Sequence, residues 1–301
     1  MRRVLVIGAG GYLGRNVLDL LRTQQDLLVR TASRSAPAGG LDIQLDIAQA
    51  NVDRLATVLA RERPDIVVNC AGAVGGSDAE LTAANVTGPA NLVTALAGLR
   101  PGSRLIHLGS AAEYGVTDIG VPVTEDMAGE PVGPYGHSKL AGTQLVVLGR
   151  KAGLDTLVLR VFNPIGPNAP TGSFPGRVVR ELRRAATEND DIHLGPLGSV
   201  RDFVDVRDIA EAVLASVNAA NLDRAILNLA SGVGTRIRSI VDELVDISGF
   251  GGTVFESTAG SSRSASVAWQ QADITAISKS LGWKPRVELL DSLVDLWRSI
   301  R

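Results

Sequence analysis

The sequence predicts an α/β protein: a doubly wound parallel sheet with helices on both faces, followed by a smaller second lobe. Three observations carry this. Short apolar runs alternate with helix-periodic stretches through the first half of the 301 residues. The first run, Val4-Leu5-Val6-Ile7, is apolar without alternation, as strands buried on both faces are. Glycines follow it at once, and beyond them Val17, Leu18, Leu20 and Leu21 recur at helical spacing.

The glycines lie at Gly8, Gly11 and Gly14, with Gly10 between them, in the spacing G-x-x-G-x-x-G. Strand, glycine turn and helix form the setting of a dinucleotide site. Gly8 allows the tight turn, Gly11 lets main-chain N–H groups approach a pyrophosphate, and Gly14 lets helix and strand pack closely. The helix N-terminus adds partial positive charge for an anion. The expected architecture is therefore Rossmann-type.

Later elements keep the alternation. Residues 26–32 read as a strand, followed by a turn rich in Ser, Pro and Gly that reaches Gly40. Residues 43–46 give a short strand, 52–60 a helix, and 65–72 a buried strand with its exit loop. Residues 79–99 form one long helix, stopped by Arg100-Pro101-Gly102. Residues 105–108 are a strand, 135–150 a helix and 156–161 a strand. From Asn163 the pattern loosens into prolines and glycines ahead of a basic helix at 177–186. Further helices are expected at 238–248, 274–281 and 289–300, with a loop at 257–266. The division is a dinucleotide-binding domain at 1–162, with 203–232 returning to it, and a discontinuous substrate lobe at 163–202 and 233–301.

Composition narrows the class. Hydrophobic residues make up 45% and the net charge is −2, which points away from disorder and from nucleic acid as a partner. Cys70 is the one cysteine, so no intrachain disulfide is available. It sits at a strand end and reads as a small packing residue. No apolar run reaches the roughly 18 residues of a membrane span. After Met1-Arg2-Arg3 the apolar run breaks at Gly8, too early for a signal peptide. No His, Cys and carboxylate cluster suggests a metal. A soluble cytoplasmic protein is expected.

Ligands of open α/β sheets bind beyond the carboxyl ends of the strands. Those ends carry Gly8 to Gly14, Ser33-Arg34, Asp46-Ile47, Asn69-Cys70-Ala71-Gly72, Gly109-Ser110 and Phe162-Asn163. Downstream, Tyr135 and Lys139 stand four residues apart and share one helical face. A nearby ammonium favours tyrosinate and brings the phenol toward its working range. Ser110 can then hydrogen-bond a substrate oxygen and hold it against the Tyr135 hydroxyl.

The motifs GAGGYLG (8–14), Asp46-Ile47, NCAG (69–72), Asn85-Val-Thr-Gly88, GSAAEYG (109–115) and PYGHSK (134–139) stand in this order. RVFNPIGP (160–167), RDFVDVRD (201–208), NLASG (228–232) and LGWKP (281–285) follow. Together they resemble the extended short-chain dehydrogenase/reductases of the NAD-dependent epimerase/dehydratase family, which act on nucleotide sugars. The resemblance covers almost the whole chain. It implies that Tyr135 moves the proton, that Lys139 binds the nicotinamide ribose and tunes Tyr135, and that Ser110 orients the sugar oxygen. It further implies a cofactor site of Gly8, Gly11, Tyr12, Leu13, Gly14, Ser33, Arg34, Asp46 (at the adenine), Ile47, Cys70, Ala71, Gly72, Asn85 and Phe162. Ala111 and Asn163 would border the sugar, and Arg177, Arg201 and Arg263 the diphosphate, where a guanidinium fork suits the oxygens.

The same resemblance narrows the chemistry. Members preferring NAD end the second strand with an Asp, whereas Thr31-Ala32-Ser33-Arg34 lacks a carboxylate and suits the 2′-phosphate of NADP(H). Dehydratases carry an Asp-Glu pair directly after the catalytic Ser or Thr. Here Ala111-Ala112 follow and Glu113 comes one place late, so dehydration is not expected. The expected reaction is NADPH-linked reduction of a nucleotide-linked 4-keto-6-deoxyhexose, with a 4-epimerase holding NAD as the second reading. A non-catalytic cofactor-binding regulator is a third. Homodimerisation is expected on family grounds, through apolar surface carried by Leu92, Val93, Leu96, Leu140, Leu145, Val146 and Leu148.

Overall fold

The computed structural model describes residues 1–34, 43–99, 103–257 and 267–300. The Pro- and Gly-rich turn to Gly40, the stop at Arg100-Pro101-Gly102 and Arg263 fall outside the described residues. The chain opens with β1 (Arg2–Ile7), α1 (Tyr12–Arg22), β2 (Leu27–Ser33), β3 (Ile43–Gln44), α2 (Val52–Glu62) and β4 (Ile66–Asn69). Next come α3 (Asp78–Thr82), α4 (Gly88–Leu99), β5 (Arg104–Ser110), α5 (Gly133–Lys151) and β6 (Asp155–Val161). β7 (Asn163–Ile165), α6 (Phe174–Glu188), β8 (Ile192–Leu194), β9 (Val200–Asp205), α7 (Val206–Asn218) and β10 (Ile226–Leu229) follow. The chain closes with β11 (Gly234–Arg236), α8 (Ile237–Ser248), β12 (Val254–Glu256), β13 (Trp269–Gln270), α9 (Thr275–Leu281) and α10 (Leu289–Ser299).

Seven strands make the main sheet, in the order β10-β6-β5-β4-β1-β2-β3, with every pairing parallel. The unbroken apolar run of β1 has its reason here. Val4 and Val6 enter a core with Val17 and Leu21 of α1 and Ile209 and Val213 of α7. Leu5 and Ile7 enter the opposite core, with Leu55 and Leu59 of α2 and Leu92 and Leu96 of α4. Strand order reverses between β1 and β4, which opens a crevice at their carboxyl ends.

The single long helix expected over 79–99 is broken by one π turn, residues 83–87, between α3 and α4. Pro89 has no N–H to give the carbonyl four residues back, that of Asn85, and Gly88 N–H instead reaches five residues back to Ala83 O. The Asn85 carbonyl points at α5. A Cβ on Gly142 would stand 2.1 Å from that oxygen, so only glycine lets α5 lie this close.

A third core lies beyond the sheet, closed by Val178 and Leu182 of α6, Ile240 and Leu244 of α8, and Leu293 and Leu296 of α10. Its small sheet centres on β9, which pairs with β7, β11 and β13, while β8 pairs with β12. These short strands carry too few residues for an alternating pattern to show, and most were not foreseen. Of the stretch 203–232, expected to return to the dinucleotide-binding domain, the part before β10 contributes no strand to the main sheet. α7 packs on the main sheet's core together with Val204, but Val204 and Asp205 belong to β9, because β7 leaves the main sheet one residue after β6 and takes β9 as its partner. β10 does return to the main sheet, beside β6.

Candidate active site

The glycine turn is built for close approach. A Cβ on Gly14 would lie 2.2 Å from Gly8 O, and one on Gly8 (φ +77°) 2.6 Å from Ala71 N. Turn, helix and β4 loop therefore meet main chain to main chain. Gly11 caps α1 without a side chain, and the first turn holds no acidic residue. The positive end of α1 is left for an external anion, and a Cβ on Gly10 would meet open space. These features fit a dinucleotide pyrophosphate. At the flanks, Arg34 is exposed at the end of β2, Asp46 caps Ala48 N–H at 2.9 Å, and Ile47 is buried beneath Gly88.

Asn85 holds this loop from behind. Its Oδ1 accepts from Ala73 N–H at 2.9 Å, while its amide donates to Ala73 O at 2.9 Å and to Ser138 Oγ at 3.0 Å. With the side chain so engaged, Asn85 braces the loop. The Phe162 ring is buried with Ala111, Tyr114, Val123, Ala230 and Ala272 and closes a small core.

At the end of β5 the structure joins Ser110 to α5. The Tyr135 hydroxyl donates to Ser110 Oγ at 3.3 Å, and Ala112 N–H donates to the same oxygen at 3.2 Å. A hydroxyl has two acceptor sites, so the Ser110 proton is the group left to donate outward. Both residues are half-buried. Lys139, one helical turn from Tyr135, is buried and donates from Nζ to Leu108 O at 2.6 Å. Burial lowers its pKa, opposed by the charge of Glu113. Pro134 sits in the first turn of α5, where its fixed φ suits a helix start. The Tyr135 carbonyl is in turn tied to Ser138 Oγ at 2.8 Å. The group can polarise an oxygen, hold it and exchange a proton with it.

Around these residues lie further buried side chains, and the residue pattern assigns no role to Arg160 or His107 among them. Glu113 is fully buried; Oε1 accepts from Ser110 N–H at 2.7 Å and Thr143 hydroxyl at 2.9 Å, and Oε2 from Arg160 Nε at 2.7 Å. Both of its oxygens are engaged inside the protein, and none of its surface reaches solvent. Arg160 also lies 4.4 Å over the Tyr114 ring. His107 Nδ1 accepts from the Asn69 amide at 3.0 Å, and burial holds the imidazole well below its ordinary pKa. Burial pushes the Cys70 thiol up to about 12, so it stays protonated and packs rather than reacts.

The residues expected at the substrate are less completely assembled. Arg201 is buried, with its guanidinium donating to Val200 O at 2.8 Å and Val267 O at 2.6 Å. Asn163 donates to Asp202 O at 2.8 Å, Ala111 is core, and Arg177 lies 5.8 Å over the Phe174 ring. The apolar surface expected on α4 and α5 is smaller than the sequence suggests. Leu92, Leu96 and Val146 are buried against the sheet, and Val93, Leu140 and Leu145 are half-buried. Leu148 alone of this set is exposed.

The model of the NAD dependent epimerase/dehydratase family matches residues 4–230. The chain belongs to this family. It is 36% identical to a dTDP-6-deoxy-L-talose 4-dehydrogenase (NAD(P)(+)) of Kitasatospora kifunensis, over 98% of this chain and 94% of that one. It is 26% identical to the GDP-6-deoxy-D-mannose reductase of Pseudomonas aeruginosa, over 97% and 95% of the two chains. A UDP-glucose 4-epimerase of Azospirillum brasilense is 29% identical over 97% of this chain and 90% of its own. Among solved structures, RMD of Pseudomonas aeruginosa complexed with NADPH shares the fold, with a TM-score of 0.85 at 24% identity over 99% and 98% of the two chains. Family membership makes this chain a nicotinamide-dinucleotide enzyme of nucleotide-sugar chemistry. Among the described residues no helix is long and apolar enough to cross a membrane.

Proposed function

We propose that the protein reduces the keto group of a nucleotide-linked 4-keto-6-deoxyhexose at C4, using NADPH. The observation that carries this reading is the hydrogen bond from Tyr135 to Ser110, with Lys139 one turn along the same helix. Ser110 donates to the C4 oxygen, and Tyr135 delivers a proton to that oxygen as the carbon becomes tetrahedral. Lys139 stabilises the tyrosinate left behind. The nicotinamide supplies the hydride. Gly8, Gly11 and Gly14, with the main chain of Tyr12 and Leu13, hold the pyrophosphate, while Arg34 and Ser33 take the 2′-phosphate that distinguishes NADPH. Arg201 pairs with the sugar diphosphate, and residues 163–202 and 233–301 form the lobe that receives the nucleotide.

Two relatives support the substrate class, because their names place a redox step on a 6-deoxyhexose. A dehydrogenase name describes the same hydride transfer in the opposite direction. The burial of Glu113 supports simple hydride transfer over dehydration. The second reading, a 4-epimerase that keeps NAD bound, is favoured by the UDP-glucose 4-epimerases among the relatives. The protein is further proposed to be cytoplasmic and to form a homodimer through α4 and α5, checked by mass in light scattering. A screen of nucleotide-linked 4-keto-6-deoxyhexoses for NADPH oxidation tests the main reading. Turnover of one or more supports it. Interconversion of UDP-glucose and UDP-galactose without added cofactor, and no reduction, replaces it with the epimerase.

A further inference from the structure

Glu113 stands where three elements meet. Its Oε1 joins the Ser110 main chain at the end of β5 to Thr143 on α5, and its Oε2 is anchored by Arg160 of β6. Thr143 lies four residues beyond Lys139 and eight beyond Tyr135, on the same helical face. A Cβ on Gly109 would stand 2.7 Å from Oε1, so the carboxylate lies directly against the β5 main chain. Arg160 is steadied in turn by the Tyr114 ring at 4.4 Å, and the Tyr114 hydroxyl donates to Asn228 Oδ1 of β10 at 2.6 Å. An apolar side chain could fill this volume without the desolvation of an ion pair. What an apolar side chain lacks is an acceptor shared by Ser110 and α5.

We propose that Glu113, anchored by Arg160, is a positioning residue that sets Ser110 against α5 and so keeps Ser110 Oγ within reach of the Tyr135 hydroxyl. This rests on the catalytic reading of Ser110, Tyr135 and Lys139 given above. The acceptor atom is the working part, and the charge serves to hold it in place.

Two double variants separate this from a merely structural ion pair. Glu113→Gln/Arg160→Met removes both charges but keeps an oxygen for Ser110 N–H and Thr143. Glu113→Met/Arg160→Met removes the oxygen as well. The expected result is NADPH affinity within about 3-fold of wild type in both. The Gln variant keeps kcat within about 3-fold, whereas the Met variant loses about 30-fold in kcat with KM little changed. Equal kcat in the two double variants, or a loss that only follows the fraction of protein binding NADPH, overturns the proposal. Thr143→Val cuts the link to α5 without stranding a charge. It should lower kcat about 5-fold at unchanged cofactor affinity, and an unchanged kcat overturns that link even if the Met variant does not fold. If wild type reduces no nucleotide sugar, the proposed function fails, while amide exchange at Ser110 still tests the positioning. Exchange about 10-fold faster in the Met than in the Gln variant supports it; equal exchange overturns it.

Discussion

The main sheet and the smaller lobe each show a prominent device for satisfying buried polar groups, and the two devices differ. On the sheet, side chains of neighbouring elements answer one another: Asn69 with His107 across β4 and β5, Asn85 with Ser138, and Glu113 with Arg160. In the lobe, carboxylates gather main-chain N–H groups from loops distant in sequence. Asp202 accepts from Ser231 N–H and hydroxyl, from Gly232 N–H and from Ala272 N–H. Where α7 of the sheet half meets the lobe, Asp208 accepts in the same manner from the N–H groups of Arg286 and Val287, in the loop before α10. The first arrangement fixes atoms relative to one another within regular elements, as a reacting centre requires. The second pins irregular loops at single points.

The largest expected effect falls on the sheet side. Tyr135→Phe should lower kcat by about 1000-fold, because it removes only the proton that moves. Binding of NADPH and nucleotide sugar, followed by fluorescence titration, should stay within about 2-fold. A loss under about 10-fold would mean that the proton has another source.

Asp202→Ala tests the lobe. Four donors lose their acceptor, and the expected loss of folding stability is about 3 kcal/mol in urea unfolding. Substrate KM should rise while the NADPH dissociation constant holds, since Asp202 ties the Ser231-Gly232 loop after β10 to Ala272 after β13 and makes no bond to the glycine turn. An equal effect on both ligands would erase the contrast between the two regions.

A smaller effect follows pH. The unfolded chain protonates His107 near 6.5, whereas the buried imidazole stays neutral well below that value. The unfolded state therefore binds more protons as pH falls, and each unit below 6.5 costs about 1.4 kcal/mol of stability until the folded pKa is reached. A His107→Gln variant should lose that slope between about pH 6.5 and 5.5, read by urea unfolding at each pH. An unchanged slope would show that other groups carry the acid sensitivity.

The smallest effect sharpens the cofactor reading. Arg34→Ala should weaken NADPH about 5- to 10-fold, as for one exposed charge-assisted contact, and leave NADH unchanged. Equal loss for both cofactors would remove the basis for NADP preference.

Most of the sheet half was legible in residue order, because its elements bury whole faces and burial leaves a period. The run Val4 to Ile7, the glycine spacing and the four-residue step from Tyr135 to Lys139 all survive in three dimensions. The lobe was harder to read. β11, β12 and β13 hold two or three residues each, too short to show a period, and β9 lies in a motif whose neighbours rejoin the sheet.

The sequence by itself determined the doubly wound sheet, the glycine turn and the residue types at the proposed reacting centre. Each of these is written in local spacing, where one residue limits the backbone or face of the next few. Only the tertiary structure decided which way the polar side chains turn. Asn85 braces the β4 loop, Phe162 closes a core, and Glu113 faces Arg160 across 47 positions of sequence. Such partners are chosen by packing between elements far apart in the chain. A buried charge takes the partner that packing brings to it, and no local pattern records which one that is.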